Sequence, residues 1–476
     1  MHAGHDSIRA ALDRRAFLVA SGIGFCGLHL PALLGASQPT PTPPRRRVAR
    51  STILVWLSGG ASHIDTWDMK PDAPVEYRGE FRSVPTSAAG VRLCEHLPRL
   101  GQQAHHLAIV RSLGHYGRGT GDHHAGYYYN LTGHEPDPSF RALLNNRTPR
   151  PSDWPFIGSV VAAKRPVHPY LPQLISLPQK PGFPTFTRPG QFAARLGTEY
   201  DAAYVLGSLD RPTEFVAPAL TLHGDMDIRR LESRRQLVRV VDNAVRTHEQ
   251  TAQTATYSRQ QERAYTLLSA PRSRAAFDVS REPETVRARY GHTVNGMSML
   301  MARRLVEADV PFVTVFWKEE PALERLCLSG GGWDTHGNNF TCLRQHLLPH
   351  FDRCFAALLE DLHQRGLLDQ TLVVVNSEMG RQPRVGDPRS GGTRGAGRDH
   401  WTHCMSVLLA GGGIRGGQAY GRSDAIAAYP ADRCVAPEDI AQTIYYATGI
   451  DDLHATDREG RPFHLLPEGS PLLDLF

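Results

Sequence analysis

Long basic tracts, membrane-length apolar runs and closely paired cysteines are what this chain has little of, and each shortage removes a class of protein. Beyond Arg45-Arg46-Arg47 there is no long run of Lys or Arg, and the formal charge of +5 is small for 476 residues. A nucleic-acid footprint is therefore not expected. The apolar stretch Val19 to Leu34 is shorter than the roughly 20 residues that cross a bilayer core, which argues against a stable span once that segment is removed. The seven cysteines form no CxxC pair, which excludes a Cys-based zinc site or a thioredoxin-like motif. Cys94, Cys327, Cys342, Cys354, Cys404 and Cys434 are buried thiols or partners in disulfides, and the sequence does not choose.

What is present reads as a globular protein. Hydrophobic residues make up 41% and charged residues 21%, enough for one large domain or two ordinary ones. At the N-terminus, Arg14-Arg15-Ala16-Phe17-Leu18 precedes the apolar run, and small residues follow at Gly35, Ala36 and Ser37. This resembles a twin-arginine export signal, with an uncleaved anchor as the alternative. The expected division is a signal at 1–37, a Pro/Arg-rich linker at 38–50 and a folded domain at 51–476. The twin-arginine machinery would be a partner and the periplasm or exterior the destination.

Uncharged runs at Thr52–Leu57, Leu107–Val110, Val310–Trp317, Leu372–Val375 and Cys404–Ala410 predict buried strands. Helical spacing appears at Met297–Val306, and again at Phe351, Phe355, Leu358, Leu359 and Leu362 after Pro349. Between about 225 and 305 the chain turns polar, with Leu231, Leu237, Val240, Tyr265 and Leu268 at helical spacing, which predicts a helical insertion. Alternating strands and helices predict an α/β fold with a mostly parallel central sheet flanked by helices. Dense prolines from Pro136 to Pro189 predict irregular, ordered surface.

Polar residues gather where strands end. Gly330 to Asn339 reads GGGWDTHGNN, and Asp334 and His336, two apart, project to one side of an extended backbone. A carboxylate and an imidazole suit a zinc- or manganese-like ion; the alternative is a turn closed by Asp334 or Thr335, with Asn338 or Asn339 capping a helix. His63 and Asp65 repeat the spacing after the first strand, in SGGASHIDTWD. His115, His123, His124 and His134 lie in what reads as a Gly-rich loop, suited to a metal or an anion.

The segment GLLDQTLVVVNSEMG at 366–380 resembles the sulfatase and alkaline-phosphatase-like pattern LLDNTLVIFTSDHG. The chain as a whole resembles the DUF1501 family, placed in that superfamily, through LSGGASHIDTWD, GGGWDTHGNNF, NSEMGR and GRDHW. The resemblance implies an alkaline-phosphatase-like fold and a dinuclear-metal hydrolase ancestry. It implies divalent ions (zinc, manganese or calcium) on Asp334, His336, Glu378 and His400, with Asp399 beside His400, and with His63 and Asp65 standing in for carboxylates missing at Ser58 and Gly59. Where the pattern has Asp-His, this chain has Glu378 and Met379. The family LTG matches Leu131-Thr132-Gly133, and counting back nine positions from Thr132 puts His123 in the nucleophile slot that Cys or Ser fills as formylglycine. His123 would attack the ester or serve as base, with His124 as substitute and Arg381 neutralising an anionic oxygen. The expected activity is hydrolysis of phosphate or sulfate esters on small molecules or polysaccharides; the alternative is a non-catalytic exported binding or assembly protein.

Overall fold

Uncharged runs rich in Val, Ile and Leu supply the sheet. The computed structural model describes residues 49–182, 184–218, 229, 230, 232–234, 236, 271–329, 331–386 and 396–476. The export segment, nearly all of the linker and the insertion residues Leu231, Leu237, Val240, Tyr265 and Leu268 lie outside the described residues. Strands run at Ser51–Trp56 (β1), Leu107–Leu113 (β2), Leu174–Leu177 (β3), Ala203–Tyr204 (β4), Phe312–Phe316 (β5) and Thr371–Asn376 (β6). Gly380–Arg381 (β7), His400–Trp401 (β8), Met405–Ala410 (β9) and Gln418–Tyr420 (β10) follow. All of these except β7 and β8 join one eight-stranded sheet, in the order β10–β2–β9–β6–β1–β5–β3–β4.

β1 lies between β6 and β5 and is parallel to both. β3 is parallel to β5 and to β4, and β10 to β2. Only β9 breaks the pattern, running antiparallel to β6 and β2. The sheet is thus mostly parallel, as expected. Trp56 is in register with both Phe316 and Asn376, so β1, β5 and β6 end side by side. Loops leaving the carboxyl ends of parallel strands share one edge, the usual place for a ligand.

Successive β1 side chains enter different layers, as a pleated strand requires. Ile53 and Val55 join Val313, Val315, Val373 and Val375 in one apolar layer, and Leu54 and Trp56 join Phe312, Phe316, Leu372 and Val374 in the other. The helices that cover the sheet are named in chain order: His123–Thr132 (α1), Ile157–Lys164 (α2), Val294–Glu307 (α3), Leu348–Gln364 (α4) and Pro437–Ala447 (α5). The first layer is covered by α3 and by α4, whose Phe351, Phe355, Leu358, Leu359 and Leu362 are buried. Each such side chain contributes about 1.5–3 kcal/mol of transfer free energy. The second layer is covered by α2 and α5.

Two expectations are corrected. The His-rich segment is not a loop throughout, because residues 123–132 form α1. Asp122 caps it by accepting from Ala125 N at 3.1 Å, and Gly133 ends it in the left-handed conformation. The Pro-rich region is also more regular than expected. It holds a short helix at Pro138–Leu143, then α2 and β3, with Pro138 at a helix start where its missing N–H costs nothing. Cys327 and Cys342 form a disulfide, and no helix among the described residues is long and apolar enough to cross a membrane.

Candidate metal centre

Four loops and one helix end converge at the shared edge. The turn after β1 comes first. Gly59 has φ +117° and donates its N–H to Glu378 Oε1 at 2.7 Å, while a Cβ there would fall 2.2 Å from Asp334 N. Only glycine lets this turn approach so closely. Trp333 N donates to Ser58 O at 2.9 Å, tying the same turn to the loop that carries Asp334.

Asp334 is the hub. Its Oδ1 lies 3.0 Å from His336 Nε2 and 3.1 Å from His400 Nε2, and its Oδ2 lies 3.5 Å from His123 Nε2. His336 Nε2 and His400 Nε2 are 3.0 Å apart. His123, on the first turn of α1, reaches the other way with Nδ1, 3.0 Å from Glu378 Oε1. Asp399 Oδ1 accepts from His400 N at 2.6 Å and stands 4.0 Å from His336 Nδ1. Two overlapping triads, His123–Asp334–His400 and His336–Asp399–His400, each have their ligand atoms within 4.8 Å of one another. The expected Asp334, His336, Glu378, His400, Asp399 and His123 therefore do meet.

The protonation states of His400 and Asp334 suit cation binding. His400 Nδ1 lies 2.7 Å from Gly121 O, which can only accept, so Nδ1 carries the proton and Nε2 presents its lone pair to the cluster. Burial, reinforced by the charges of Arg381 and His123, lowers this imidazole to about 4 and keeps it neutral. For Asp334, burial opposes ionisation. Arg381 and the three histidines overcome it and hold the carboxyl well below its ordinary range. His123 is also opposed by burial, but its bonds to Asp334 and Glu378 raise it. Asp334, His123, His336 and His400 keep 13–15% of their side chains exposed, so the cluster opens outward, whereas Glu378 keeps 1%. Glu378 Oε2 is buried with no hydrogen-bond partner. An orphaned carboxylate oxygen beside three imidazoles and a second carboxylate is a donor set that fits a divalent cation.

Other expected residues are placed elsewhere. His63 is fully buried, with Nε2 bonded to Ala427 O at 2.8 Å. Asp65 forms a two-point ion pair with Arg398 at 2.7 and 2.8 Å, accepts from Asn339 at 2.9 Å, and is fully buried. Both hold loops rather than joining the cluster, because partners of opposite polarity within the fold already claim them. His124 turns away from His123, with Nδ1 on Arg147 O at 2.8 Å. Arg381 is fully buried, giving Nε to Gly60 O at 2.9 Å, Nη1 to Arg398 O at 3.2 Å, and Nη2 to Gly59 O and Asp334. These bonds tie Arg381 to Asp334 and to the Gly-rich turn, whereas the sequence reading set it against an anionic oxygen of the substrate. Met379, which stands where the family pattern has histidine, is buried and packs against Gly60.

Sequence reasoning missed Glu319 and Arg188. Glu319 follows β5 and packs on Gly332. Burial, with the negative charge of Glu378, raises it to about 7, against the pull of Arg188, His123 and Lys318. Its signal was present, since Lys318-Glu319-Glu320 directly follows a buried strand. Arg188 carried none, lying among prolines far from any strand end.

A mostly parallel α/β sheet carrying an acidic and imidazole cluster at its strand ends is the class that fold and site define. The chain belongs to the family described as protein of unknown function (DUF1501), whose family model matches residues 49–476. No curated protein matches the sequence. Among solved structures, the chain is similar to a 2-O GAG sulfatase at 9% identity and TM-score 0.41, with 90% of this chain and 74% of that one covered. It is similar to a phosphonate monoester hydrolase from Silicibacter pomeroyi at 12% identity and TM-score 0.40, covering 89% and 76%. A TAB5 alkaline phosphatase mutant with Mg bound matches at 12% identity and TM-score 0.38, covering 86% of this chain and 100% of that one. The structural neighbours are thus sulfatases and phosphoesterases that superpose loosely on this chain.

Proposed function

We propose that this chain is an exported, metal-dependent hydrolase of phosphate or sulfate esters that works without a formylglycine nucleophile. The observation that carries the reading is the convergence of His123, Asp334, His336 and His400 beside the unpartnered, buried Glu378 Oε2. Asp334, His336 and His400 would hold a zinc, manganese or calcium ion, with Glu378 and Asp399 at its flanks. Such an ion supplies Lewis acidity toward an ester oxygen. Glu378 fixes Nδ1 of His123 at 3.0 Å, which leaves Nε2, at 3.5 Å from Asp334, as the atom that takes a proton from water as that water displaces the alcohol, or that itself bonds to phosphorus or sulfur as the ester P–O or S–O bond breaks and the alcohol leaves. The substrate is an anionic ester on a small molecule or a polysaccharide.

One observation favours a second reading, an exported binding or assembly protein that keeps the fold without the chemistry. Arg381, which the sequence offers as the partner of a substrate oxygen, is sealed against backbone carbonyls and Asp334.

Metal analysis separates the two when paired with turnover. Protein purified without chelators is expected to contain about one or two divalent ions per chain, fewer in His336→Ala and His400→Ala. It is expected to cleave aryl phosphate or sulfate esters slowly, with the rate abolished by chelation and cut at least about 100-fold in His123→Ala. Metal-loaded protein that leaves a broad panel of phosphate and sulfate esters untouched would move the reading to the binding protein. For export, a reporter fused to Met1–Arg50 should leave the cytoplasm by the twin-arginine route, and should stop doing so when Arg14 and Arg15 both become Lys.

A further inference from the structure

Arg188 sits on the segment that follows β3 and presses against α1. A Cβ on Gly190 would fall 2.7 Å from Tyr128 Cα. The Arg188 guanidinium carbon lies 5.3 Å from the Tyr127 ring centre and 4.7 Å from that of Phe186. Tyr127 is one helical turn beyond His123, and residues four apart on a helix share a face. The Tyr127 hydroxyl is already committed to Ser58 Oγ at 3.0 Å, so the ring under Arg188 is a fixed platform one helical turn from His123.

The partners of this guanidinium are few. Among the described residues its one side-chain hydrogen bond runs from Nη1 to Asn145 Oδ1 at 3.5 Å, the outer limit of such a contact. No carboxylate among the described residues lies within 4.0 Å of it. Arg188 is half-buried, and the fully buried arginines behave differently: Arg147 is paired with Asp153, Arg303 with Glu282 and Asp361, Arg381 with Asp334, and Arg398 with Asp65. The field of Arg188 is felt by His124, Tyr127 and Glu319, and Glu319 in turn feels Glu378 and His123. Arg188 is therefore held by two rings, one of them a helical turn from His123, with planar N–H donors to spare.

We propose that Arg188 is the anion-recognition residue of this site, taking two oxygens of a phosphate or sulfate group whose remaining oxygens face the His123–Asp334–His400 triad. The proposal rests on the reading of the cluster as an ester-binding metal site. It replaces Arg381, whose donors are spent, with a guanidinium whose fork matches a tetrahedral oxyanion. Glu319, which feels the charge of Arg188, would disfavour ligands that carry negative charge beyond the tetrahedral group.

The test uses full-length, metal-loaded protein titrated calorimetrically with inorganic phosphate and, separately, inorganic sulfate. Arg188→Ala is expected to weaken binding of at least one anion about 10-fold or more, the scale of a lost charge-assisted hydrogen bond. Arg188→Lys, which keeps the charge and loses the fork, should fall between, and metal content should stay at the wild-type value in both. Arg188→Gln, which preserves length over the two rings, takes the place of the alanine variant if that one does not fold. Unchanged anion affinity in these variants overturns the proposal, as does loss of affinity only in step with loss of metal, or a wild type that binds neither anion. If anion binding falls in Arg188→Ala while the wild type hydrolyses no ester, Arg188 keeps its assignment and the hydrolase reading fails.

Discussion

Gly397 shows how closely single residues set this site. A Cβ there would lie 1.6 Å from His336 O, so any side chain must displace the backbone that carries His336. Gly397→Ala is expected to lower metal occupancy even where the protein folds, and elemental analysis showing full occupancy would contradict this. Glu319 yields a prediction in pH. Its carboxyl is raised from 4.5 to about 7, first by burial and then by Glu378, so its charged form opposes folding. The sign follows: this residue costs nothing below pH 4.5, and its cost grows as the pH rises through about 7. Glu319→Gln in chelated protein should match wild type in thermal midpoint near pH 4 and exceed it above pH 7; parallel curves across that range would reject the assignment. Arg188 was illegible in the sequence because its meaning comes from the two rings it lies on, which only the fold brings beneath it.

At the scale of elements, strands were easier to read than the purposes of the loops between them. β1, β5, β6 and β9 were foreseen to within two residues at either end, since an uncharged run of Val, Ile and Leu has few other places to go. The loop pair His63/Asp65 and Asp334/His336 shows the limit. Both have acidic and imidazole groups two apart at a strand end, yet only the second pair joins the cluster, because Arg398 reaches Asp65 first. That buried pair ties the turn after β1 to the segment leading into β8. Arg398→Met leaves Asp65 charged and unpaired in the interior, which is expected to cost about 3–5 kcal/mol in denaturant unfolding. A loss under about 1 kcal/mol would mean that Asn339 and Ser62, its other partners, suffice to hold the carboxylate. The helix α1 was missed although Asp122 and Gly133 bracket it, because the histidines, Gly126 and the tyrosines between them read as loop.

The whole molecule assembles its cluster from positions 123, 334, 336, 378 and 400, so no short segment holds it and the folded sheet must come first. Occupancy and stability are therefore linked: a ligand that binds only the native chain at 100 times its Kd adds about 2.7 kcal/mol. The Cys327–Cys342 disulfide enters here. It joins residues 15 apart and makes one covalent ring of the loop that bears Asp334 and His336, with Gly337 N bonded to Cys327 O at 2.9 Å inside it. Closing a ring of that size removes about 3 kcal/mol of freedom from the open chain. Treatment with a thiol reductant is expected to weaken metal affinity in a competitive chelator titration, and the Cys327→Ser, Cys342→Ser double variant should match the reduced protein. Equal affinities in all three samples would show that the ring does no positioning. If they differ, metal per chain also records how each preparation was oxidised, and batches made with and without reductant are different reagents.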